Sequence, residues 1–226
     1  MFTHINKTFR EDRVIHMWHR YKKMIRETFH TDSKIKHVIF KKNIEMKINY
    51  CFLEARFIDR PNRFLTLVEY NGAIVESHLP DPGRLLELLI PGTNVWLRPA
   101  PKNSDRKTKF STIMVEKEGM LISLDTTLPN RFIKEELSKG SVPMLNGWSM
   151  IKQEYKIGNH RIDFLLNDPD GEDVFTEVKS VTYVENDIAM FPDAVTDRGK
   201  KHAKLLSSLS KGGKRTQIIF VCQRAD

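Results

Sequence analysis

Three short segments near the start of the readable pattern, Tyr50–Ile58, Arg63–Tyr70 and Ala73–Leu79, are rich in β-branched and aromatic residues. That is the pattern of strands. Asp59-Arg60-Pro61-Asn62 and Asn71-Gly72 separate them. Asn-Gly predicts a tight hairpin, because both residues accept the positive φ of a type I′ turn. Pro82-Gly83 leads into Arg84–Leu89, which reads as a short apolar helix stopped by Pro91-Gly92. Asn94–Leu97, Ser111–Glu116 and Met120–Leu124 read as further strands. Five or six short strands in about 75 residues predict a small OB-like β-barrel.

The second half changes character. Asn130 predicts a helix cap, with the helix running to about Leu137. Met150–Tyr155, Arg161–Leu166 and Val174–Val178 follow as strands, with the turn-rich Asn167–Asp173 between the last two. Arg198–Leu209 has helical periodicity and Gln217–Gln223 is a last apolar strand. A hairpin followed by helix and strand predicts an α/β domain. The expected organisation is an extension over residues 1–45, a barrel over 46–125 and an α/β domain over 126–226. In the extension, Val14, Trp18, Tyr21 and Ile25 recur at helical spacing among basic residues, which predicts an amphipathic helix. Met46 is an alternative start.

Charge sharpens this division. The chain has 226 residues and a formal net charge of +8. The first 50 residues carry +7 of it and five of the eight histidines. From Phe110 to Asp197 there are 16 acids against 8 bases, and from Arg198 to Arg215 seven bases and no acid. A second basic run spans Arg98–Lys109. An acidic centre between basic runs suits a metal site beside a groove that follows phosphates. Each run also reads as a plain solvated face. Several function classes drop out. No run of 18 apolar residues is present, so no membrane-spanning helix is expected. The N-terminus lacks an apolar secretory core, so a cytoplasmic protein is expected. Two cysteines, Cys51 and Cys222, cannot build a disulfide framework or a cysteine zinc site. There is no glycine-rich phosphate loop, which argues against an enzyme of phosphorylated sugars.

The chemistry concentrates in Arg161-Ile162-Asp163-Phe164 and Glu177-Val178-Lys179. On a strand, Glu177 and Lys179 project from the same face. If the strand bearing Asp163 pairs with theirs, two carboxylates and an ammonium group converge. Two close carboxylates repel unless a positive charge lies between them. Mg²⁺, or Mn²⁺ in its place, answers that need, since it takes one or two protein carboxylates together with water and phosphate oxygens. Glu154, on the preceding strand, is a candidate third carboxylate. The bland alternative is a surface salt bridge. Arg198 and His202 lie four apart on the basic helix and could hold a phosphate; a helix whose charges merely suit its dipole is the competing reading.

Taken together, these motifs resemble the sugar fermentation stimulation protein family. The carriers are Arg60-Pro61-Asn62-Arg63-Phe64, His78-Leu79-Pro80-Asp81-Pro82-Gly83-Arg84, Pro129-Asn130-Arg131, Arg161-Ile162-Asp163-Phe164, Glu177-Val178-Lys179-Ser180-Val181 and Phe191-Pro192-Asp193-Ala194 through His202. They occur in family order over about four-fifths of the chain, and the extension 1–45 is the departure. The resemblance implies an OB-like domain followed by a PD-(D/E)xK nuclease-like domain, and DNA as partner. It implies Asp163 and Glu177 as metal ligands, with Glu154 less securely, and Lys179 as the catalytic lysine. Arg60, Arg63, His78 and Arg84 would line a nucleic-acid face, with Arg198, Lys201 and His202 on the second domain. Phe57, Phe64 and Trp96 are candidate stacking residues or barrel core. The expected function is a Mg²⁺-dependent phosphodiesterase acting on DNA. The alternative is a non-catalytic DNA-binding regulator of sugar-metabolism genes on a nuclease scaffold. A homodimer is allowed for.

Overall fold

The computed structural model describes residues 52–140, 142–186 and 188–224. The extension expected over residues 1–45, with its helix, lies outside them. The strands β1 (Leu53–Asn62), β2 (Leu65–Tyr70), β3 (Ala73–His78), β4 (Asn94–Pro99), β5 (Phe110–Lys117) and β6 (Met120–Ser123) form one sheet in the order β3-β2-β1-β4-β5-β6. A parallel pairing of β3 with β5 closes the first five into a barrel, so the OB-type architecture is present. Alternate positions point inward, and Phe57, Val68, Leu79, Val95, Leu97, Val115 and Ile122 fill the barrel. Thr66, Ser77 and Thr112 are also fully buried, and their hydroxyls satisfy one another at 2.7 and 2.8 Å. Asn71 and Gly72 take φ of 51° and 75° in the β2–β3 turn, as the Asn-Gly pair predicts.

Two local expectations change. Asp59-Arg60-Pro61-Asn62, read as a loop, is the end of β1. The register with β2 shifts twice there, and an irregular stretch accommodates a proline that has no N–H for the ladder. Arg84–Leu89, read as a helix, is a single turn in which the Leu88 and Leu89 amides bond to the Leu85 carbonyl. Leu85 sits at φ 53°, outside right-handed helix space. Its side chain is fully buried in the barrel core, which offsets that cost.

The second part contains α1 (Leu128–Lys139), β7 (Ser149–Ile157), β8 (His160–Asn167), β9 (Asp173–Val181), a small hairpin of β10 (Tyr183–Glu185) and β11 (Ile188–Met190), α2 (Asp197–Lys211) and β12 (Arg215–Cys222). The main sheet runs β12-β9-β8-β7, with β12 parallel to β9 and the other pairs antiparallel. α1 covers one face through Phe132 and Ile133 against Phe164, Leu166, Val178 and Ile219. α2 covers the other through Ala203 and Leu206 against Ile162, Leu165, Phe175 and Ile218. A sheet covered on both faces explains why β8 and β9 read as nearly continuous apolar runs. α1 starts at Leu128, with Pro129 in its first turn and Thr127 before it. Asn130 is therefore inside the helix and is not its cap, which frees its side chain for another use.

The loop between β3 and β4 fastens the barrel to the second sheet. Asp81 accepts from the Gly83 amide at 2.8 Å and from the Thr182 hydroxyl at 3.0 Å. Asp193 accepts from the Leu85 amide at 2.9 Å, and its carbonyl accepts from Arg84 Nε at 2.8 Å. Arg224, buried, donates to Glu87 at 3.0 Å and to the Thr182 carbonyl at 2.9 Å. A Cβ on Gly83 would lie 2.6 Å from Asp193 Oδ2 and 2.9 Å from Asp81 Oδ1, so a larger residue there would have to displace both carboxylates. Burial pushes the Asp81 carboxyl up, and the charge of Asp193 adds to this. The amide of Gly83, the Thr182 hydroxyl and Arg60 offset part of it.

This gives a pH dependence of defined sign. A carboxyl raised in the folded state favours folding most when protonated, so its contribution is lost as pH rises through the raised value. Asp81→Asn removes that loss and keeps an acceptor for the Gly83 amide. The variant is expected to gain stability over wild type as pH climbs from the carboxylate range to neutrality, with the gain vanishing in acid. Urea midpoints across that range measure it, and a variant less stable at neutral pH would contradict the assignment.

Candidate functional site

Along β9, strand alternation sends Phe175, Glu177 and Lys179 to one face, and Phe175 packs there beneath α2. β8 runs antiparallel with Phe164 opposite Thr176, so one step further Asp163 comes alongside Glu177. The Val178 amide donates to Asp163 Oδ2 at 2.7 Å, and Asn130 Nδ2 donates to Asp163 Oδ1 at 2.9 Å. Both Lys179 Nζ and His202 Nδ1 contact Glu177 Oε1. The predicted convergence of Asp163, Glu177 and Lys179 is therefore present.

The two carboxyls are driven in opposite directions. Burial pushes Asp163 up and the neighbouring Glu177 charge pushes it further, against the Val178 amide, Asn130 and Lys179. Burial also acts to raise Glu177, but the His202 hydrogen bond and the Lys179 ammonium outweigh it and hold that carboxyl down. Glu177 is thus the fixed anion of the pair. Its second oxygen, Oε2, is buried and has no hydrogen-bond partner among the described residues. An orphaned anionic oxygen in a protein interior is costly and calls for a counter-charge.

That orphan is the test of whether a metal suits the site. Among the described residues no group of three or more His, Cys, Asp or Glu is placed to hold a metal ion, so a closed all-protein cage is not formed. Two carboxylates, one with an unused buried oxygen, do fit a hard cation of the Mg²⁺ type, which fills its remaining positions with water and phosphate oxygens.

Glu154 departs from the expected place: β7 keeps its register with β8 across Gln153 and Tyr155, yet the Glu154 carboxylate, 52% exposed, faces Arg161 at 3.5 Å. The structure does not gather it with Asp163 and Glu177. The residues expected to line a nucleic-acid face also divide. Arg60 donates to the carbonyls of Arg84, Arg63 and Asp81 at 2.7, 2.9 and 3.3 Å. It therefore buttresses the seam loop, and Arg84 is engaged with Asp193. His78 is half-buried and its imidazole is pushed down by burial and then by Arg106 and Arg98. His202 is turned inward on Glu177. Arg63, Arg198 and Lys201 are exposed. Of the aromatics, Phe57 is barrel core and Trp96 is half-buried, while Phe64 is 51% exposed next to Arg63 in the β1–β2 turn. Sequence reasoning missed Asn130 as the partner of Asp163, although the Pro129 that displaces the helix start was the available signal.

Two family models match the chain. Residues 58–124 match the SfsA N-terminal OB domain, and residues 127–226 match the sugar fermentation stimulation protein RE domain. The chain is 40% identical over 183 residues to the sugar fermentation stimulation protein homolog of Moorella thermoacetica, covering 81% of this chain and 78% of that one. It is 39% identical over 189 residues to the Clostridium tetani homolog, covering 84% and 78%. Its fold is similar to that of Pyrococcus furiosus SfsA, solved in complex with Ca²⁺, with a TM-score of 0.69 and 31% identity over 79% of this chain and 75% of that one.

Asn130→Ala removes the donor to Asp163 Oδ1 and is expected to cost about 1.5–3 kcal/mol, the range for a hydrogen bond to a charged group. Chemical denaturation measures this. An unchanged midpoint would mean that the bond contributes nothing.

Proposed function

The chain belongs to the sugar fermentation stimulation protein family, and from that premise we propose that it is a DNA-binding, Mg²⁺-dependent phosphodiesterase of the PD-(D/E)xK kind. The observation that carries the reading is the buried, unpartnered Oε2 of Glu177 beside Asp163 and Lys179. The Ca²⁺ held by the Pyrococcus furiosus relative supports a divalent cation in this family. Asp163 and Glu177 would hold the cation. When bound it would lower the pKa of a coordinated water and offset negative charge at phosphorus. The protein's own contribution is orientation. Asn130 and the Val178 amide fix both oxygens of Asp163. Lys179, only 15% exposed and already at Glu177, is placed to orient the attacking water or to take its proton at Nζ. Arg198 and Lys201, exposed near the start of α2, lie close in sequence to His202 and would meet the phosphate backbone. Arg63 and Phe64 on the barrel would add charge and a stacking surface.

The test incubates labelled single-stranded, duplex and branched DNA with Mg²⁺ or Mn²⁺. Metal-dependent cleavage is expected, reduced about 100-fold or more in Asp163→Ala and Lys179→Ala. Binding should be salt-sensitive in all three proteins. Salt-sensitive binding without cleavage of any shape would overturn the phosphodiesterase in favour of a DNA-binding regulator. Cleavage unaffected by the substitutions would place the activity elsewhere.

A further inference from the structure

Glu177 has two oxygens, and two side chains share one of them. Lys179 Nζ and His202 Nδ1 both use Oε1, and Oε2 has no partner among the described residues. The carboxylate is 2% exposed, so bulk water does not satisfy Oε2. We propose that His202 is a positioning residue: by donating from Nδ1 to Oε1 it fixes the Glu177 carboxylate so that Oε2 is the oxygen offered to the divalent cation. The proposal rests on the metal-site reading above and adds to it the residue that orients the ligand.

His202 suits this role better than Lys179 does. A lysine ammonium on a flexible stem can follow a carboxylate through several rotamers. The imidazole is a rigid ring on a helix whose neighbouring residues, Ala203 and Leu206, are locked into the sheet core. The start of α2 is itself pinned, with the Gly199 amide donating to the Thr196 hydroxyl at 3.3 Å. Just upstream, Asp193 is held by Leu85 and Arg84 of the barrel loop. The ring therefore approaches Glu177 from a fixed direction. Because a carboxylate can only accept, the His202 nitrogen at Oε1 carries the hydrogen. Groups behind a metal ligand commonly act in this way, and losing one weakens metal binding by about 10–100-fold. This role replaces the phosphate contact that the helix spacing suggested for His202.

The experiment measures Mn²⁺ binding to the full chain without DNA, by the loss of the free-ion EPR signal, for wild type, His202→Ala, His202→Asn and His202→Gln. Thermal midpoints are recorded alongside. An asparagine amide nitrogen falls near the place of ring Nδ1, and a glutamine amide nitrogen near that of Nε2. Binding is expected to weaken about 10–100-fold in His202→Ala and His202→Gln and to recover largely in His202→Asn. If the alanine variant does not fold, the comparison of asparagine with glutamine decides. Wild-type affinity in every variant, with only the midpoints lowered, would reduce His202 to a structural contact and overturn the proposal. Recovery by glutamine and not by asparagine would overturn it as well, since the ring would then act through Nε2. Absence of Mn²⁺ binding in wild type would remove the metal-site reading, and the role of His202 with it.

Discussion

Holding Asp163 and Glu177 side by side inside a covered sheet is the constraint on which the rest of the second domain depends. Desolvation and mutual repulsion both oppose it. The fold counters them with donors drawn from three elements. The β9 backbone supplies the Val178 amide, α1 supplies Asn130, and α2 supplies His202, with Lys179 on the strand itself. Each helix therefore has two tasks. Each covers an apolar sheet face and delivers one polar side chain to a carboxylate. The asymmetry that results is chemically useful. Asp163 keeps an elevated affinity for protons, while Glu177 remains ionised with one oxygen uncommitted.

The barrel is tied to this arrangement. Its loop from Asp81 to Leu85 grips Asp193, four residues before α2 begins, and Gly83 permits the contact because no side chain intervenes. Asp193 is thus held by the barrel loop a few residues before the helix that carries His202. Arg60 and Arg84 belong to this seam, and the basic motifs around them serve domain docking before any ligand is considered.

Most strands were legible because alternation and Asn-Gly turn chemistry are local, whereas the short hairpin of β10 and β11 was not anticipated. The Asp163, Glu177 and Lys179 constellation was legible for the same reason, since two-residue spacing on a strand fixes a common face. What escaped is non-local. Arg84 and Asp193 are 109 positions apart, and nothing in a basic Pro-Gly-Arg motif reveals that its partner is a backbone carbonyl in another domain. Glu154 misled because strand position does not reveal that its carboxylate turns to Arg161 in place of the other acids. Arg84–Leu89 misled because burial of Leu85 in the barrel overrode its helical pattern.

The proposed site places a divalent cation between Glu177 Oε2 and Asp163. Anomalous diffraction from crystals soaked in Mn²⁺ tests it most directly. A peak is expected within coordination distance, about 2.1 Å, of Glu177 Oε2 and an oxygen of Asp163, with His202 still on Oε1. Mn²⁺ peaks elsewhere on the molecule and none between these two carboxylates would contradict it.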